Sequence, residues 1–241
     1  RHFIEIIFHD KNWWCSFWHG AYITFLALTI QNVFALTLAL IVDSGIKAGR
    51  MYRVIFFLPP VLSGIVVALM WNWIYAADYG LLNHLLKLIG LGNLQLSWLS
   101  NPKTSLTCVG VINMWKGFGW GFIILLAGLQ SIPRQLYEAA IDDRCRGTSG
   151  SCRITMPLMI PVFVLVSILT ILGTMQIFDI IVATTGGGPA GHTDVPILYI
   201  FNNMMHYLHF GYACALGLVF GFILLIASLL QIKVSKKVKQ E

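Results

Sequence analysis

Five long apolar runs divide this chain, and polar stretches separate them. The runs cover about 17–42, 54–77, 105–130, 157–183 and 211–232, each long enough to cross a bilayer as a helix. The first run follows an aromatic segment, in which Trp13, Trp14 and Trp18 suit a membrane interface. The second holds Pro59-Pro60 near its start, which predicts a kink or a fresh helix start there. The third carries Gly110, Gly117, Gly119, Gly121 and Gly128, a pattern that permits close helix packing. Between the runs, LLNHLLKLIG at 81–90 is amphipathic and predicts a helix lying flat on a surface. TTGGGPAGHTD at 184–194 reads as a tight turn at the membrane edge, and 195–210 as a short interfacial or re-entrant helix.

Composition strengthens the pattern. Hydrophobic residues make up 57% of the 241 and charged residues 11%, where a soluble domain carries roughly 25% charge. The charges cluster between the runs, so the chain reads as an all-α integral membrane protein. Five spans fix which connections share a side. One side holds 43–53, 131–156 and 233–241, with Lys47, Arg50, Arg53, Arg134, Arg144, Arg146, Arg153, Lys233, Lys236, Lys237 and Lys239. The other side holds Arg1, Lys11, Lys87 and Lys103. The positive-inside rule then places 131–156 and the C-terminus in the cytoplasm. The net charge of +6 therefore reports topology, and no nucleic-acid partner is expected. The first residue is Arg1 and no signal-peptide pattern follows, which predicts a fragment or a processed product.

Few residues offer chemistry. Glu138, Asp142 and Asp143 have no general acid–base arrangement beside them. GGGP lacks the Lys-Ser/Thr of a phosphate-binding loop and the spaced glycines of a dinucleotide motif. His206 and His209 lack a third ligand, so no metal is expected. The cysteines (Cys15, Cys108, Cys145, Cys152 and Cys214) are scattered, and a disulfide between two of them in a cytoplasmic loop is not expected. No enzyme activity is expected of the chain itself. Polar residues inside spans are costly unless they face protein or a water-filled path, which makes Asn113, Lys116, Gln176 and Asp179 candidates for a translocation path.

The polar segment IPRQLYEAAIDDRCRGTSGSCRITMPLMIP at 132–161 connects the third and fourth runs. Its first part predicts a short helix on which Leu136, Tyr137, Ala139 and Ala140 present an aliphatic patch beside Glu138. Such a helix, tied to two spans, suits docking into a groove on a soluble partner.

This segment resembles the cytoplasmic EAA loop of the permease subunits of binding-protein-dependent ABC importers. LQSIPRQLYEAA at 129–140, Asp143 and ITMPLMIP at 154–161 stand in register with that pattern. FFLPPVLSGIVVALMWNWIYAADYGLLN at 56–83, WKGFGWGFIILLAGLQSIP at 115–133 and MQIFDIIVATTGGGPAGHTDVPILYIF at 175–201 resemble the sugar-type branch. The resemblance implies a type I-like permease bundle over 1–241, with five spans visible and the usual first span missing. It implies coupling through Leu136, Tyr137, Glu138, Ala139, Ala140 and Asp143 to a cytoplasmic ABC ATPase dimer. It also implies a second, non-identical permease subunit, an extracytoplasmic solute-binding protein and a lipid environment. No cofactor is expected on this chain, because ATP and Mg belong to the ATPase. The implied solute is a sugar, an oligosaccharide or a glycerol phosphate. Arg144, Cys145 and Ser151 depart from the glycine, alanine and phenylalanine of the pattern. Those departures motivate an alternative, a non-transporting scaffold or an impaired remnant of such a permease.

Overall fold

The computed structural model describes residues 2–133, 135 and 148–238, with side chains for all of these except 148–154 and 234–238. Among the described residues the chain is helices and turns, with no strand. In chain order, α1 is His2–Phe8, α2 is Lys11–Asp43, α3 is Gly49–Val61, α4 is Gly64–Ile74 and α5 is Leu81–Leu88. They are followed by α6, Ser105–Gln130; α7, Thr148–Met175; α8, Asp179–Thr184; α9, Pro196–Met205; and α10, Phe210–Val238.

Among the described residues four segments are long and apolar enough to cross a membrane: α2, α6, Thr155–Met175 of α7 and Phe210–Lys233 of α10. The α3–α4 pair makes a fifth if its two helices count as one span, although they are bent by 94°. Pro59 and Pro60 both lie inside the last turn of α3, and the break comes just after them, at Leu62 and Ser63. Pro60 has no N–H to offer the carbonyl of Phe56 four residues earlier. That carbonyl faces α6 at Gly119, where a Cβ would stand 2.4 Å from the oxygen.

α6 is the centre of the bundle. Half of it is buried, against 28% of each of the other three candidate spans. It packs on both halves of α2 and on α3, α4, α7 and α8. One core joins Ala35, Ala39 and Val42 of α2 to Phe122, Leu125, Leu126 and Leu129 of α6 and to Met159 and Val166 of α7. A second joins Ile23 of α2, Val67 of α4, Ile112 of α6, Ile181 of α8 and Leu198 of α9. The third gathers Ile6, Trp13, Met175, Leu216 and Phe220 where α1, α2, α7 and α10 meet. Between lipid-embedded helices, close packing and hydrogen bonds hold these cores together, because lipid tails are as apolar as leucine.

The fourth run does not continue as one helix to 183. α7 ends at Met175, the chain opens over 176–178, and α8 begins at Asp179. The end of α7 is tightened, with Ile177 N–H donating to Thr174 O. Thr174 and Thr170 both turn their hydroxyls back on carbonyls four residues earlier, a habit that bends helices. The expected surface helix is present as α5, and the expected short helix after the glycine turn is present as α9.

One feature has no counterpart in the run pattern. α2 contains a π turn at Ala27–Gln31. Below that turn, at the N-terminus of α2, Asp10 accepts from the Trp13 N–H and from the phenols of Tyr199 and Tyr212.

Candidate functional site

The four polar residues singled out inside the spans line one cavity of about 520 Å³. Asn113 and Lys116 come from α6, Gln176 from the opening after α7, and Asp179 from the start of α8. On α6 the lining residues are Asn113, Lys116, Gly117, Trp120, Gly121 and Ile124. Their spacing of three and four is one helical face. On α7 the lining runs Val166, Leu169, Thr170, Gly173 and Thr174. Gln176 follows Leu169 by seven residues and so keeps to the same face. A continuous helix would carry Asp179 to the opposite side, and the α7–α8 break brings it to this space.

The cavity is polar at chosen points and apolar between them. Among the described residues no ion pair links Lys116 to Asp179. The Asp179 carboxylate accepts from the Ile180 N–H at 2.9 Å and lies against Gly64, the first residue of α4. The positive end of a helix dipole favours an anion there. Gly173 has open space where a Cβ would stand, which widens the cavity on the α7 side.

Among the lining residues not singled out from the sequence are Gln31, Trp120, Thr170 and Thr174. Trp120 is 56% exposed and sits one helical turn beyond Lys116, so the spacing on α6 alone would have found it. Gln31 is 6% exposed and reaches the cavity from the last residue of the π turn. Its neighbour Asn32 does not line the cavity, and it accepts at 3.1 Å from the hydroxyl of Thr170, which does. Leu136, Tyr137, Glu138, Ala139, Ala140 and Asp143 lie outside the described residues.

At the end of the bundle where α2 begins, the turn at 185–195 is held by hydrogen bonds among threonines. Thr193 donates to Gly188 O at 2.6 Å, and its hydroxyl pairs with that of Thr185. His19 Nδ1 lies 2.8 Å from the carbonyl of Asp194. Burial pushes the Asp194 carboxyl up to about 6, and one of its oxygens has no partner among the described residues. His206 and His209 join no metal-competent cluster among the described residues.

A multi-span bundle with a polar cavity between its central helices is the architecture of a membrane transport subunit. The chain belongs to the binding-protein-dependent transport system inner membrane component family, whose pattern matches residues 21–240. Its relatives place it in the sugar-type branch of the ABC importer permeases. It is 33% identical to the trehalose/maltose transport system permease protein MalF of Thermococcus litoralis, over 78% of this chain and 64% of that protein. It is 30% identical to a probable ABC transporter permease protein, YurN, of Bacillus subtilis, over 100% of this chain and 83% of that protein. The fold matches a chain in the crystal structure of a bacterial alginate ABC transporter in complex with an alginate pentasaccharide-bound periplasmic protein. The TM-score there is 0.86 at 22% identity, covering 99% of this chain and 83% of that chain.

Proposed function

We propose that this chain is the membrane-spanning permease subunit of an ATP-driven, binding-protein-dependent importer of a sugar, an oligosaccharide or a glycerol phosphate. The observation that carries the reading is the meeting of Asn113, Lys116, Gln176 and Asp179, from separate elements, in one cavity beside the central helix. Amides and charges placed within apolar spans are costly unless they meet a partner or a path. A carbohydrate presents hydroxyls to such groups and apolar C–H faces to an indole such as Trp120. The sugar-type relatives and the solute-bound complex of the structural match support the solute class.

The chain binds no cofactor in this reading. ATP and Mg sit on a separate cytoplasmic ATPase dimer, which engages Leu136, Tyr137, Glu138, Ala139, Ala140 and Asp143. A second, non-identical permease closes the path, and an extracytoplasmic binding protein delivers the solute. The basic connections and the C-terminus face the cytoplasm.

The test is purification of the chain from its native membrane in mild detergent, followed by reconstitution with whatever accompanies it. An ATPase and a second permease should co-purify, and ATP-dependent uptake of a labelled carbohydrate should follow. Glu138→Arg should abolish retention of the ATPase. A chain that purifies alone from membranes containing those partners would overturn the reading in favour of a non-transporting remnant.

A further inference from the structure

We infer that Gln31, delivered by the π turn of α2, is a specificity-determining contact of the cavity that reads a hydroxyl group of the transported solute. The inference rests on the reading of the cavity as a carbohydrate path and adds a residue from a fourth helix, α2, to it.

Three observations converge on this side chain. First, Gln31 is 6% exposed, and its Oε1 accepts no hydrogen bond among the described residues. A buried amide oxygen without a partner is costly, and a site that retains one holds a place for a donor. Second, the amide lies across Gly117 of α6, where a Cβ would stand 2.9 Å from Oε1 and 3.0 Å from Nε2. Gly117 and Gln31 both line the cavity, so the missing side chain on α6 gives the amide its position at the wall. Third, Gln31 is the last residue of a five-residue π turn. Wide turns of this kind add one residue to a helix and recur at functional sites, because they re-aim the side chains that follow. Here the turn separates two adjacent amides. Asn32 is engaged with Thr170, and Gln31 is left to the cavity.

The chemistry that fits is a hydroxyl. It donates to the amide oxygen and accepts from the amide nitrogen, and the terminal torsion of glutamine is broad and two-fold, so either end can face the solute. A site built to hydrogen-bond a hydroxyl discriminates against an analogue lacking it, because its own polar group is then left unpaired.

The test uses the complete transporter, this chain with its own partner subunits and binding protein, in proteoliposomes. Uptake of labelled maltose, trehalose, lactose and glycerol 3-phosphate identifies a carried solute. Singly deoxygenated analogues of that solute are then compared in the wild type and in Gln31→Met, which keeps length and volume and removes the amide. One analogue should be carried about tenfold more slowly than its parent by the wild type. In Gln31→Met the parent should fall to the rate of that analogue, and the two should become indistinguishable. Gly117→Ala, which displaces the amide, should show the same selective loss. If Gln31→Met leaves the parent rate unchanged, or lowers parent and all analogues by one common factor, Gln31 only packs. The inference then fails while the cavity reading stands. If the wild type carries none of these solutes, the cavity reading itself fails and takes the inference with it.

Discussion

The carboxylate of Asp179 occupies the space that a side chain at Gly64 would need. A Cβ built at Gly64 falls 1.6 Å from Asp179 Oδ2. The start of α4 and the start of α8 are thus locked to each other at the wall of the cavity. Gly64→Ala forces one of them to move, at a cost of about 1–3 kcal/mol. The thermal midpoint of the purified complex in detergent should fall, and Gly64→Ala combined with Asp179→Ala should recover most of the loss. A midpoint unchanged in the single variant would show that the contact is slack.

Gly119 makes the corresponding close approach between α6 and α3. A Cβ there would stand 2.4 Å from the Phe56 carbonyl oxygen and 2.7 Å from the Pro60 ring. Gly119→Val should separate the two helices and lower the yield of folded protein in the membrane. Gly221 of α10, where a Cβ meets nothing within 4 Å, should accept the same change with little effect. Equal yields for the two variants would be the contrary result.

Asn83 organises the 78–104 connection. Its Nδ2 donates to Ala77 O and Leu96 O, its Oδ1 accepts from Trp98 Nε1 at 2.8 Å, and its carbonyl accepts from Gln95. The residue is 4% exposed. Asn83→Ala leaves several of those groups unpaired, at about 1–3 kcal/mol. Trypsin cleavage at Lys87 and Lys103 should accelerate while the helical bundle stays intact. Cleavage at the wild-type rate would mean that the connection is held by other contacts.

Asp194 gives a pH dependence of definite sign. Its folded value of about 6 lies above its ordinary 3.8, so the folded chain holds this proton more tightly than the unfolded one. The stabilisation is complete below the ordinary value and is lost as pH rises through about 6. Other groups also contribute to the slope, so the comparison is made against a variant. Asp194→Asn should remove the part of the slope between the ordinary value of 3.8 and about 6. An unaltered slope would assign it to other groups.

The spans were legible in the chain because apolar runs of that length have few other uses, and α6 matches its expected range residue for residue. The four cavity residues were legible for a related reason, since an amide or a charge in an apolar run demands a partner. The same signal stands at Gln31 and Asn32, but nothing in the local sequence says which of two adjacent amides faces the cavity. The π turn decides that, and it depends on where α6 and α7 dock. The position of the α3–α4 break was legible only to within a turn, because Pro59 and Pro60 end hydrogen bonding behind them while the chain bends ahead of them. The link between Asp10 and the phenols of Tyr199 and Tyr212 was hidden by separations of 189 and 202 residues.

The wide turn in α2 also reconciles two angular settings along one rod. Its N-terminal half docks on α7 and α9 as well as on α6, whereas its C-terminal half lies chiefly along α6 through Ala35 and Ala39. One residue of an α-helix corresponds to about 100° of rotation. Removing a single residue from 27–31 would therefore swing Ala35 and Ala39 off α6 and bring bulkier neighbours onto it, even with every other residue unchanged. The extra residue works as a phase shifter between two docking faces that an uninterrupted helix would be unable to satisfy together.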